Sequence, residues 1–156
     1  MKKIILLLFI LNSLLFSSFL DFLKKDEANE AAKELAQKFK EEKKAVLENT
    51  PYLNIEGIYS KENYVFINFT YKKEIILKKI MFDNNIDVLK AYKMLNSKEF
   101  LKHISEERQY RWKKYLCEPV ANYLRQGVLL NLQLSWDDNN EYITNTLLDK
   151  NICNLR

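Results

Sequence analysis

Seven consecutive positions set the strictest limit on this chain. Leu130, Leu132, Leu134 and Trp136 alternate with Asn131, Gln133 and Ser135, a period of two that puts the apolar side chains on one face of an extended strand and the polar ones on the other. Such a strand belongs in a sheet with one face buried and one face left open. Asp137-Asp138-Asn139-Asn140 is turn chemistry and Tyr142 to Leu148 runs back, so this end of the chain reads as a hairpin. Tyr52 to Tyr59 and Asn63 to Tyr71, rich in Ile, Val, Phe, Tyr and Thr around Ser60-Lys61-Glu62-Asn63, read as another. Its inward residues are expected to be Leu53, Ile55 and Tyr59 on the first strand and Val65, Ile67 and Phe69 on the second.

The remaining segments carry a helical period. From Asp26 to Leu47, Ala28, Ala32, Leu35, Phe39 and Val46 recur at three- and four-residue steps, with a charged, solvated face opposite. Asn49-Thr50-Pro51 stops that helix, because a residue before proline is pushed away from helical dihedrals. Lys72 to Asn84 suits an extended strand or a new element equally. A short helix is expected up to Asn96 on Ile86, Leu89, Tyr92 and Leu95. A second starts at the Ser97 cap and uses Phe100, Leu101, Ile104, Trp112, Tyr115 and Leu116. Cys117-Glu118-Pro119 interrupts it. Pro119 suits the first turn of a helix carrying Val120, Tyr123 and Leu124, with Gly127 as its left-handed stop. The order helix, hairpin, helices, hairpin predicts an α+β fold: an N-terminal helix and an antiparallel sheet from two hairpins, with the intervening helices packed on one face. No internal linker divides residues 19–156, so they are read as a single domain large enough to bury a core.

Lys2-Lys3, the apolar run Ile4 to Leu11, then Leu14-Leu15-Phe16 and Ser17-Ser18 read as a secretory signal peptide over residues 1–18. An uncleaved inner-membrane anchor reaching about residue 20 is the competing reading, since 17 residues lie at the short end of a bilayer span. Either way the expected location is outside the cytoplasm: periplasmic or secreted, or tethered by the N-terminus. Export makes Cys117 and Cys153 a candidate disulfide, closing a loop of about 36 residues and contributing on the order of 4 kcal/mol. They form no C-x-x-C, which disfavours a redox pair.

Cys117-Glu118-Pro119, Tyr123-Leu124, Gly127, the polar turn Asp137 to Asn140 and Cys153, together with Asn49-Thr50-Pro51, resemble the pattern of small exported bacterial proteins regarded as quorum-sensing-regulated virulence factors. The resemblance covers about the last 40 residues and the short earlier segment. It lacks the family's turn glycine, having Asn139-Asn140 instead. It implies a periplasmic, disulfide-bridged α+β domain and brings no catalytic residues.

Composition excludes several chemistries. Gly57 and Gly127 are the two glycines, so neither G-x-G-x-x-G nor G-x-x-x-x-G-K-[ST] can be built. His103 is the single histidine, which rules out multi-histidine metal sites. No metal or cofactor is expected. A nucleophile needs its base within hydrogen-bond reach, and Ser105, two positions from His103, faces elsewhere on a helix. Glu41-Glu42, Glu106-Glu107 and Asp137-Asp138 read as solvated or capping acids rather than a glycosidase pair, and Asp137 to Glu141 lacks the EF-hand spacing for calcium. Lys72-Lys73, Lys78-Lys79 and Arg108 to Lys114, the last interleaved with Tyr110 and Trp112, resemble phosphate-binding mixtures. Subtracting Lys2 and Lys3 from a net +4 leaves about +2, and with export this argues against nucleic acid and leaves membrane-surface contact open. Asn68-Phe69-Thr70 is an N-x-[ST] match inside a strand. The expected function is a non-catalytic envelope binding module for a protein or small ligand. The alternatives are a small periplasmic hydrolase using His103 or a carboxylate pair, and a membrane-tethered assembly subunit.

Overall fold

The computed structural model describes residues 23–43, 52–139 and 141–155. The leader, Asn49-Thr50-Pro51 and the last part of the first expected helix lie outside them. Helix α1 covers residues 23–43 and buries Ala28, Ala31, Ala32, Leu35 and Ala36. Strands β1 (Leu53–Lys61) and β2 (Tyr64–Tyr71) form the first hairpin, and β3 (Leu129–Trp136) and β4 (Tyr142–Leu148) the second. Between them lie α2 (Lys73–Asn84), α3 (Val88–Leu95), α4 (Lys98–Leu116) and α5 (Ala121–Arg125).

The sheet order is β1-β2-β3-β4. Each hairpin is antiparallel, as its sequence implied, but the central β2–β3 pair is parallel, with Val65 opposite Leu130, Ile67 opposite Leu132 and Phe69 opposite Leu134. The cause is the long helical connection. It leaves β2 at Tyr71 and re-enters β3 at Leu129, beside Tyr64, so the two strands run the same way. The α+β class stands, with a mixed sheet in place of an all-antiparallel one.

The alternation in β3 sets the layers. Leu130, Leu132, Leu134 and Trp136 are buried beneath the helices with Val65, Ile67, Phe69, Tyr71 and Leu148, while Asn131, Gln133 and Ser135 lie on the other face. One inward assignment in β1 is corrected. The pairing steps from Ile55–Phe69 to Gly57–Asn68, so Glu56 is the extra residue of a β-bulge and the phase reverses after it. Ile58 turns inward, and Tyr59 turns outward to stack on Phe66 at 5.0 Å.

Lys72 to Asn84, which sequence left open, is the helix α2. Its first backbone N–H, that of Lys73, donates to Asp137 Oδ1 at 2.9 Å, so the β3–β4 turn supplies an anion at the positive end of the helix dipole. Asn85 ends it with φ 50°. Helix α3 is capped by Asp87, which accepts from Lys90 N at 2.9 Å, and α4 by Ser97, which accepts from Phe100 N at 3.2 Å. On α3 the buried positions are Ala91 and Leu95. Leu89, more than half a turn from Ala91, is exposed and so is Tyr92, against expectation. On α4, Ile104 and Trp112 face the core and Tyr115 does not.

Pro119 stands just ahead of the Val120 cap of α5 rather than inside its first turn. Gly127, φ +89°, closes that helix: its N–H donates to Leu124 O at 3.1 Å and the Val128 N–H to Tyr123 O at 3.1 Å, the two bonds of a Schellman motif. Tyr123 OH donates to Glu34 Oε1 at 2.7 Å, tying α5 to α1. Cys117 and Cys153 stand at disulfide distance, sulfurs 1.94 Å and Cα atoms 5.4 Å apart. No described helix is long and apolar enough to cross a membrane.

Candidate functional site

A cleft of about 350 Å³ opens between α2, α3 and α4, beside Tyr52 and the end of β2. One stripe of α4 lines it: Phe100, His103, Ile104, Glu107, Arg108 and Arg111 recur at three- and four-residue steps. Ile76 and Ile80 of α2 and Met94 of α3 complete an apolar floor, and Lys79 and Asp83 stand at the rim.

Charge at this cleft is unevenly compensated. Lys79 pairs with Asp83 at 2.9 Å and Arg111 with Glu107 at 2.7 Å, each within its own helix. Arg108 has no carboxylate partner among the described residues. Its Nε donates to Tyr71 OH, and its guanidinium lies 5.0 Å from the centre of the Tyr71 ring. Burial raises the Tyr71 hydroxyl above the ordinary tyrosine value, against the opposing pull of Arg108. Tyr71 therefore stays neutral and does not offset the Arg108 charge.

The groups that a hydrolase would use are dispersed. His103 lines the cleft and makes no hydrogen bond or ion pair to a described residue. Ser105 points to β4, where its Oγ donates to Thr144 Oγ1 at 2.8 Å. Glu106 lies 3.8 Å from Lys102, and Glu41 accepts from Gln37 at 2.9 Å. Asp137 and Asp138 both serve Lys73, whose ammonium reaches Asp138 Oδ2 at 2.8 Å between the rings of Tyr92 and Trp136. The hydrogen bond that the ammonium donates to Asp138 raises the Lys73 pKa above its ordinary value. No group of three His, Cys, Asp or Glu residues stands close enough to hold a metal among the described residues.

The basic stretch of α4 separates by direction. Arg108 and Arg111 face the cleft and Trp112 enters the core, stacked on Phe69 at 5.5 Å. Lys114 lies outside, over the rings of Tyr110 and Tyr115 at 5.8 and 5.2 Å. The alternation of bases and aromatics is therefore no continuous stacking groove. Sequence reasoning places Lys73 in a basic pair with Lys72 but misses its link to Asp137 and Asp138, and it misses the cleft. The helical stripe at 100, 104, 108 and 111 was the available signal, hidden because Arg108 and Arg111 were grouped with their outward neighbours.

No family model matches the sequence, and no curated protein does. Among solved structures, a Pseudomonas aeruginosa protein described as secreted is similar, at 11% identity over 81% of this chain and 96% of that chain, TM-score 0.46. The pilotin of the Vibrio vulnificus type 2 secretion system is similar at 18% identity over 83% and 94%, TM-score 0.44. The type II secretion system pilotin of Vibrio cholerae is similar at 15% over 82% and 97%, TM-score 0.37.

Proposed function

We propose that the protein is an exported, non-catalytic binding module of the bacterial envelope, and that its α2–α3–α4 cleft takes a protein segment with an apolar body and an acidic group. The observation that carries this reading is Arg108, a partly buried cation beside an apolar floor, with no carboxylate among the described residues while its neighbours Lys79 and Arg111 are neutralised. A carboxylate entering such a site gains a charge-assisted, two-pronged contact from the guanidinium. Against the hydrolase reading, His103 has no nucleophile in hydrogen-bond reach among the described residues, and Ser105 is committed to Thr144.

The test is a photo-crosslinking residue at His103, which lines the cleft, in chain expressed in its native envelope. A discrete adduct that disappears when Arg108→Glu is added, and that does not form from Lys113, is the expected result. An adduct that survives Arg108→Glu, one that forms equally from Lys113, or no discrete adduct at all overturns the proposal. The mass of the chain isolated from the envelope separates a cleaved leader from a retained anchor.

A further inference from the structure

The face of the sheet turned away from the helices carries a second constellation, distinct from the cleft. The strand registers place Gly57, Asn68, Gln133 and Asn145 in one row across the four strands. Beside it lies a depression of about 180 Å³ lined by Glu56, Asn68, Thr70, Gln133, Ser135 and Tyr142. On the other side of the row, Phe66 stacks with Tyr59 at 5.0 Å and with Tyr64 at 5.8 Å. Gly57 contributes no side chain, so none from that position lies against Asn68 Nδ2.

The polar groups in this trough are incompletely used. The side-chain oxygens of Asn68 and of neighbouring Asn131 are buried, yet accept no hydrogen bond from a described residue; an acceptor left without a donor costs free energy, which a ligand recovers when these amides turn toward it. The one ionised group lining the depression, Glu56, is already held by Asn54 Nδ2 at 2.5 Å and Thr70 Oγ1 at 3.0 Å. Its charge repels anions, and the rest of the lining is neutral amides and hydroxyls. The matching ligand is uncharged, brings several groups that both donate and accept, and has C–H faces to lay against the negative face of an aromatic ring. We infer that the open face of the sheet is a binding site for neutral saccharide units, seated on the Asn68–Gln133 row against Tyr142.

The experiment is a titration of the isotope-labelled full chain with chitotetraose and, separately, with maltotetraose at up to millimolar concentration, followed by NMR of the side-chain amides. Saturable shifts of Asn68, Asn131 and Gln133 support the site. A response to chitotetraose alone assigns it to N-acetylated glycans, and a response to both assigns it to the pyranose ring. Tyr142→Ala removes a side chain that is 70% exposed. Gly57→Val places a side chain against Asn68, with a Cβ 3.7 Å from Asn68 Nδ2. Each is expected to weaken binding by about tenfold or more. No saturable shift with either sugar, shifts confined to the α4 cleft, or unchanged affinity in both variants overturns the inference.

Discussion

Lys73 shows how one residue joins two elements. Its backbone N–H and its ammonium are both held by the β3–β4 turn, through Asp137 and Asp138. Its hydrogen bond to Asp138 raises its pKa, and burial raises that of Tyr71. Both groups therefore bind their proton more tightly folded than unfolded. That stabilisation is complete below the unfolded values, about 10 and 10.4, and is lost as the pH climbs through the raised folded ones. The urea midpoint of the wild type is expected to fall more steeply than that of Lys73→Met once the pH rises above about 10.4. Equal slopes would remove Lys73 from the account. At Gly127 the backbone conformation itself is the constraint: an added Cβ meets Ala28 Cβ at an ordinary 3.6 Å, but φ is +89°. Gly127→Ala is expected to cost about 1–2 kcal/mol in denaturant unfolding, a conformational penalty without a clash.

At the level of elements, the hydrophobic pattern was readable wherever a single rule governed it. The alternation in β3 gave the strand, its buried face and its open face, and Ser97 and Gly127 marked helix ends because their chemistry is local. What was not readable depended on groups far apart in sequence. The start of α2 depends on Asp137, 64 positions away, and the inward turn of Ile58 on an extra residue set by pairing with β2. The parallel pair depends on where a long connection ends. The cleft escaped for the same reason, since Ile76, Met94 and Arg108 share no local motif. Two substitutions test these rules by thermal and urea unfolding. Leu132→Ala is expected to cost about 2–5 kcal/mol, whereas Gln133→Ala, one position along on the open face, stays within about 0.5 kcal/mol. Deleting Glu56 removes the bulge while the Ile55–Phe69, Gly57–Asn68 and Ile58–Ile67 pairings stay in regular alternation, so Ile58 remains inward and the cost is expected to stay below about 2 kcal/mol, the scale of taking one such side chain out of the core.

Across the whole molecule, the Cys117–Cys153 pair spans the distance from the end of α4 to the segment after β4. It closes the part of the chain that contains α5 and the second hairpin. Restricting the unfolded chain by a loop of 36 residues is worth about 4 kcal/mol on the chain-entropy account. The oxidised protein and the Cys117→Ser, Cys153→Ser double variant are therefore expected to differ by up to that amount in denaturant unfolding. The parallel β2–β3 pair has a different consequence, one of timing. A ribosome releases the amino end first, so the inner edge of β2 is bare until Leu129 and its successors arrive. A chain that stops at Arg125 keeps the first hairpin and most of the helices yet presents Val65, Ile67 and Phe69 on an unsatisfied strand border. Such a fragment is prone to stick to its own copies. Only the arrival of β3 closes that border.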